Sequence, residues 1–431
     1  VHLSRRAYLL VFLAALLAVA ALWADAAELR GLWRAPLALL LLGLSLEALY
    51  VRKLHPGVHL ITAPRAFLGR AQPAELRIEN PTARPLTLEY APVLPAGFEP
   101  LAAVRRLTAP AGGVARDLLT LTPVRLGSQS WAPLPARVLG PLRLAWWTRA
   151  LAPAASVQIA PDALRTPPTA RGFSGGSRPR RIAGAGAELY QLRDYVRGDP
   201  LSRIDWKATA RTARLVTREF SEDQHLDVLV AIDAGRFSRV RAGSLDRFGL
   251  YANLAARFAE VAVHNDDRIG LVVYADRVLT ARAPARGLAG VMRVRRALEE
   301  LSVQAAESDP TAAAVRIRGL LQHRSLVVLL TDLDDATVAG QLTRAVRLLS
   351  PPHLTVVAGV RSSEIETLVA QPARTWDDPW VALAAAEHTA RVRSQRALLE
   401  RLGIPVVAAE APRLEAAVLE QYAVLRRSRR V

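Results

Sequence analysis

Leu226-Asp227-Val228-Leu229-Val230-Ala231-Ile232-Asp233 is the stretch that decides the fold. A short apolar run ending in an acid reads as a strand buried on both faces of a sheet. Working outward, Leu245 to Val263 has helical spacing through Phe248, Leu250, Leu254, Phe258 and Val261. Ile269 to Tyr274 is apolar again, with Arg277 to Ala281 as its hairpin partner, and Leu326 to Thr331 is a second buried-type strand ending at Asp332. Thr355 to Val360 and Ile404 to Ala408 are further extended runs. Helical patterns fall at 288–301, 312–321, 336–349, 381–402 and 414–425. Apolar strands alternating with amphipathic helices predict a largely parallel, doubly wound α/β sheet covered on both faces. Such sheets bind ligands beyond the carboxyl ends of their strands, where Asp233 and Asp332 sit.

Upstream lies residues 184–220, in which Asp194, Asp199 and Asp205 interleave with Arg193, Arg197, Arg203, Lys207 and Arg211. Asp199 before Pro200 predicts a helix start, since the carboxylate accepts orphan N–H groups and proline suits the first helical position. Leu215 to Phe220 alternate as a strand. Trp206 could stack on a ligand, but the expectation is that it wedges between domains. The run Arg193-Asp194-Tyr195, Gly198-Asp199-Pro200, Arg203-Ile204-Asp205-Trp206-Lys207 and Ala210-Arg211 resembles the signature of the domain-of-unknown-function 58 family. Arginine neighbours hold these acids ionised, which suits salt bridging better than proton donation.

The α/β region also resembles the von Willebrand factor type A domain. Its metal-ion-dependent adhesion site joins an Asp-x-Ser-x-Ser loop, a threonine and a second aspartate. On this resemblance Asp233 is the first aspartate, Asp332 the later one and Thr311 the threonine, with Mg2+ as the candidate cofactor. Gly235 and Phe237 stand where the two hydroxyl ligands belong. Magnesium demands near-octahedral oxygen coordination, so water would replace two side chains. The bland alternative is that the aspartates accept bonds from neighbouring backbone N–H groups. Asp334 and Asp335 extend the acid cluster.

At the front of the 431-residue chain, Ala7 to Ala24 is an uncharged apolar run, roughly 27 Å long as a helix. Ala35 to Val51 is nearly as apolar. Two transmembrane helices are expected at 7–24 and 35–51, with Glu47 near the exit, reaching the headgroups. Arg5, Arg6, Arg52 and Lys53 flank the pair, while Asp25 and Glu28 balance Arg30 and Arg34 between them. The positive-inside tendency then places the body in the cytoplasm of a bacterial inner membrane. Ala24-Asp25-Ala26 fits a signal-peptide cleavage site, but the apolar run is long for one.

Between 55 and 165, short alternating stretches such as Leu86-Thr87-Leu88-Glu89-Tyr90 are broken by proline and glycine. They predict a small β-sandwich, with Trp146-Trp147 in its core near a sheet edge. Residues 166–187 read as a basic Pro/Gly/Ser linker. Within it, Gly172-Phe173-Ser174-Gly175-Gly176 lacks the strand and helix of a nucleophile elbow. The domain scheme is therefore 1–54, 55–165, 166–187 and 188–431.

The net charge of +18 is almost all arginine, because Lys53 and Lys207 are the only lysines. It favours anionic partners, and Arg426, Arg427, Arg429 and Arg430 form a basic tail able to touch anionic lipid. Without cysteine there is no disulfide framework, thiolate nucleophile or zinc–cysteine site, and the histidines lend little support to a metal or a Ser-His-Asp site. The expectation is a non-enzymatic adaptor that recruits a protein to the membrane. The first family resemblance implies that this partner is a MoxR-type AAA+ ATPase in a chaperone-like system. The alternatives are a metal-dependent hydrolase using Asp199 and Asp205 or the strand-end acids, and an anionic-lipid or nucleic-acid binder. Nucleic acid is the least supported partner, and nothing in the sequence fixes the oligomeric state.

Overall fold

The computed structural model describes residues 1–23, 31–162, 182–184, 188–222, 225–301, 303–333 and 338–427. The chain divides into two compact units: residues 1–162 with two short segments, 244–249 and 298–302, and the remainder. The expected linker (bar short pieces), Asp25, Glu28, Arg30, Asp334, Asp335, Arg429 and Arg430 lie outside the described residues.

In the first unit, helices α1 (Arg5–Trp23) and α2 (Arg34–Lys53) pack against each other. Among the described residues, α2 is the one helix that is long and apolar enough to cross a membrane. Leu9, Phe12 and Leu16 of α1 and Leu39, Leu42 and Leu46 of α2 are exposed. Ala7, Leu40 and Leu144 form a small shared core.

The β region that follows holds an antiparallel sheet in the order His2–Leu3, Ala145–Leu151, Leu134–Leu139, Leu86–Tyr90, Arg105–Ala109. Two three-stranded sheets accompany it: Gly57–Ile61, Gln72–Glu79, Val114–Leu121, and Arg65–Phe67, Ser156–Ala160, Gly127–Ser130. The expected alternation is real. Leu86, Leu88 and Tyr90 are buried, whereas Leu118 points out between buried Leu119 and its neighbours.

Glu47 departs from expectation. Rather than reaching the headgroups, it is fully buried against the turn before Ala145–Leu151. One carboxylate oxygen accepts the N–H groups of Leu142 (2.9 Å) and Leu144 (3.1 Å). The other accepts the Ala145 N–H (3.0 Å) and the Trp147 indole N–H (3.3 Å). A buried charge is tolerable only when bonded in this way. Gly140 makes room for it, since a Cβ there would lie 2.1 Å from the Glu47 carboxyl carbon. Neither tryptophan is a core residue: both are half-buried, Trp147 donating to Glu47 and Trp146 under the Arg106 guanidinium at 5.4 Å.

In the second unit a six-stranded sheet runs Val278–Ala285, Arg268–Tyr274, Asp227–Asp233, Leu326–Leu330, Leu354–Val360, Val406–Ala409. All neighbours are parallel except the first pair, the expected hairpin. After the short α3 (Trp206–Thr212) the helices are α4 (Arg247–His264), α5 (Gly287–Glu299), α6 (Pro310–Leu320), α7 (Ala339–Leu349), α8 (Ser363–Ala370), α9 (Asp378–Arg401) and α10 (Ala411–Arg427). Leu229, Ala231, Val327 and Leu329 share a core with Ala313, Ile317, Leu342, Val346 and Leu399 from α6, α7 and α9. The alternate residues Val228, Val230 and Ile232 are buried too, so both faces are covered.

At the amino end of this sheet, buried Asp267 ties the last helix down. It accepts the Leu226 N–H (3.1 Å), the Arg426 Nε–H (3.0 Å) and the Tyr422 hydroxyl. Burial pushes the Asp267 carboxyl up, against the pull of Tyr422 and Arg426.

Candidate functional site

The carboxyl ends of the central strands carry the strongest candidate. Asp233 closes its strand and is buried. Its Oδ1 accepts the Gly235 N–H (2.9 Å) and the Ser308 hydroxyl, and its Oδ2 accepts the Thr331 hydroxyl (2.9 Å). The Ser238 hydroxyl donates to the Asp233 carbonyl at 2.7 Å. Asp332 is also buried, just past the neighbouring Leu326–Leu330 strand. The network continues inward: Tyr251 donates to the Thr331 carbonyl (3.1 Å) and accepts the Val360 N–H (3.3 Å). Tyr274, paired with Asp233 across the sheet, has its hydroxyl pushed well up by burial and then by the charge on Asp233.

The sequence placed a threonine, Thr311, with these acids. The structure puts Thr311 in the first turn of α6, where its N–H bonds the capping Asp309 (2.9 Å). The hydroxyl from this segment that reaches Asp233 is Ser308, three residues earlier. Gly235 explains why: a Cβ there would fall 2.1 Å from the Ser308 Oγ. A side chain at 235 would displace the Ser308 hydroxyl from its observed position. Glycine in the first hydroxyl position therefore leaves room for Ser308, and that glycine is the signal in the sequence.

The arrangement is that of a hydrogen-bonded carboxylate. Magnesium would need oxygen lone pairs converging on one point. Here two hydroxyls and an N–H donate to Asp233, and Gly235 and Phe237 bring no side-chain oxygen to the loop. Among the described residues no cluster of three or more His, Asp or Glu side chains could hold a metal. His55 and His59 have helical ligand spacing, but the strand Gly57–Ile61 carries His59, so that spacing does not bring the rings together.

The acid–arginine segment from Arg193 to Arg211 forms a second constellation. Arg193 grips Asp199 with two guanidinium N–H groups (both 2.8 Å) and Glu219 with a third (2.6 Å). Gln191 also donates to Glu219 (2.8 Å), and the Val196 N–H donates to Asp199 (2.9 Å). Arg193 and then the Val196 N–H hold the Asp199 carboxyl below its usual range. Gln191 and then Arg193 do the same for Glu219, and the two acids raise Arg193.

Asp199 therefore does not start the helix. Pro200 leads into a single tight turn, Leu201–Arg203, and Asp205 caps α3 by accepting the Lys207 and Ala208 N–H groups (3.0 Å each). The better cation partner, Arg193, takes Asp199 out of the capping role. Gly198 sits at φ +114°, a conformation that favours glycine. The Tyr195 N–H bonds the Leu215 carbonyl (2.9 Å), and Ile204 bridges to Thr217. Trp206 is not a wedge: it is 67% exposed, and Lys207 and Arg211 are exposed beside it on α3.

Residues 191–372 match the family model described as "Protein of unknown function DUF58". No curated protein matches the chain. Among solved structures, the conserved hypothetical protein BatB from Bacteroides thetaiotaomicron is similar over 32% of this chain and 68% of its own, at 15% identity and TM-score 0.27. Proximal thread matrix protein 1 from the mussel byssus is similar over 32% of this chain, at 11% identity and TM-score 0.26. The match spans 38% of that byssus chain.

Proposed function

We propose that this chain is a membrane-anchored adaptor, with a two-helix anchor, a β-sandwich stalk and a von Willebrand A-like platform in the bacterial cytoplasm. The observation that carries the non-catalytic part is the engagement of its acids. Asp199, Asp205, Glu219 and Asp233 each accept hydrogen bonds from the fold itself, which fixes them in place as structural acceptors. The anchor is supported by the uncovered leucines of α2, an apolar face of the kind that lipid accommodates. On the family resemblance, the partner is a MoxR-type AAA+ ATPase that meets the strand-end face around Asp233 and Asp332.

The test is co-purification of the detergent-solubilised full chain with the MoxR-type ATPase of the same cell. Capture that weakens with Asp332→Arg supports the reading. No complex with ATP, ADP or neither refutes the partner. Digestion of the body by protease added outside intact spheroplasts refutes the topology.

A further inference from the structure

We infer that the corner formed by the family motif binds the anionic headgroup layer of a phospholipid membrane. Leu192, Val196, Leu201, Trp206 and Leu215 all project into solvent here, Leu201 at 68% exposure. One exposed leucine needs no explanation, but a group of large apolar side chains does. The backbone draws them together. The Tyr195 N–H bonds the Leu215 carbonyl, bringing Val196 beside Leu215, and the Asp205 N–H bonds the Val216 carbonyl (2.8 Å), bringing Trp206 to the same strand end.

Charge supplies the occupant. Arg197, Lys207, Arg211 and Arg214 are exposed in this segment. Its acids are engaged internally: Asp199 and Glu219 on Arg193, and Asp205 on the N-terminus of α3. Among the described residues of the segment, Asp194 is an exposed acid. The corner therefore presents cations and apolar groups, with most of its negative charge turned inward. A protein partner rewards such side chains when it offers a matched pocket for each. A lipid interface accepts them as they stand, with the indole at headgroup depth and cations on phosphates. Each cation near an anionic surface strengthens binding about fivefold.

The test uses the absence of native cysteine. Full-length chain carrying Leu201→Cys with a polarity-sensitive fluorophore is incorporated into vesicles of phosphatidylcholine, alone or with one quarter phosphatidylglycerol. The inference rests on the proposed anchor only for its setting: flotation reads attachment and the fluorophore reads the corner, so the two failures separate. The expected result is a blue shift with quenching by lipid-borne quencher in the anionic vesicles only, reversed by high salt. Lys207→Gln should raise the phosphatidylglycerol content needed, in line with a fivefold loss, and Arg197→Gln with Lys207→Gln more so. A label on Val315→Cys, exposed on α6, should stay water-like. A water-like label at 201 in both vesicles overturns the proposal. So does an equal shift in both, or a shift that requires added soluble protein.

Discussion

Two buried carboxylates, one in each unit, make the most informative pair in the molecule. Glu47 is held mainly by backbone, through three main-chain N–H groups and one indole. Asp233 is held mainly by side chains, through two hydroxyls and one N–H. Backbone donors cannot turn away when their acceptor is lost, whereas hydroxyls rotate to new partners. Glu47 thus behaves as a fastening and Asp233 as the centre of an adaptable network. A buried acid on an apolar helix or at a strand end need not be functional chemistry. Its donors decide.

Glu47→Ala should separate the two most sharply. It strands the buried Leu144 and Ala145 N–H groups, a loss of about 3 kcal/mol. Hydrogen exchange at those amides in the detergent-solubilised full chain should rise by about two orders of magnitude. Unchanged protection would break the fastening reading. Gly140→Ala comes next: its Cβ overlaps the carboxylate, and overpacking of this kind costs about 2 kcal/mol, seen in the same amides. Ser308→Ala should cost about 1 kcal/mol, because Gly235 and Thr331 still serve Asp233. Thermal unfolding checks it, and a loss as large as that of Glu47→Ala would erase the contrast. Magnesium should leave the unfolding midpoint of the full chain unchanged, and a rise abolished by Asp233→Ala would return the site to metal chemistry.

The smallest effect concerns pH at the half-buried counterpart of both cradles. Asp199 and Glu219 have folded pKa values below the ordinary carboxylate range. Their contribution is therefore complete above the ordinary carboxylate range, about pH 5, and is lost as pH falls through the depressed folded values. Exchange of the Tyr195 amide, bonded to Leu215, should accelerate only below that range. Acceleration near neutrality would show that the ion pairs do not hold this corner.

The sequence made the sheet legible because its strands are apolar runs and its helices keep their period. Even the antiparallel partner of Arg268–Tyr274 was readable. Strand order was not, since periodicity says nothing of neighbours. Glu47 was misread because its acceptor role depends on amides 97 residues away. Asp199 was misread because Asp-Pro signals a cap locally, and only the folded hairpin delivers Arg193 to it. Ser308 was not legible because its approach to Asp233 depends on the space left by Gly235, which residue type alone does not reveal. Helix α8 went unnoticed: it is short, and every residue of it is exposed or half-buried, so it shows little period.

Asp267 and Tyr422 meet across 155 positions. During translation the aspartate leaves the ribosome long before its tyrosine and arginine partners exist. Closure of this unit must then wait for the final helix to emerge. A nascent or nonsense-truncated product that ends before Tyr422 would carry an acid without the bonds from Tyr422 and Arg426 at the foot of an otherwise complete sheet, and quality-control proteases would meet it as an open substrate.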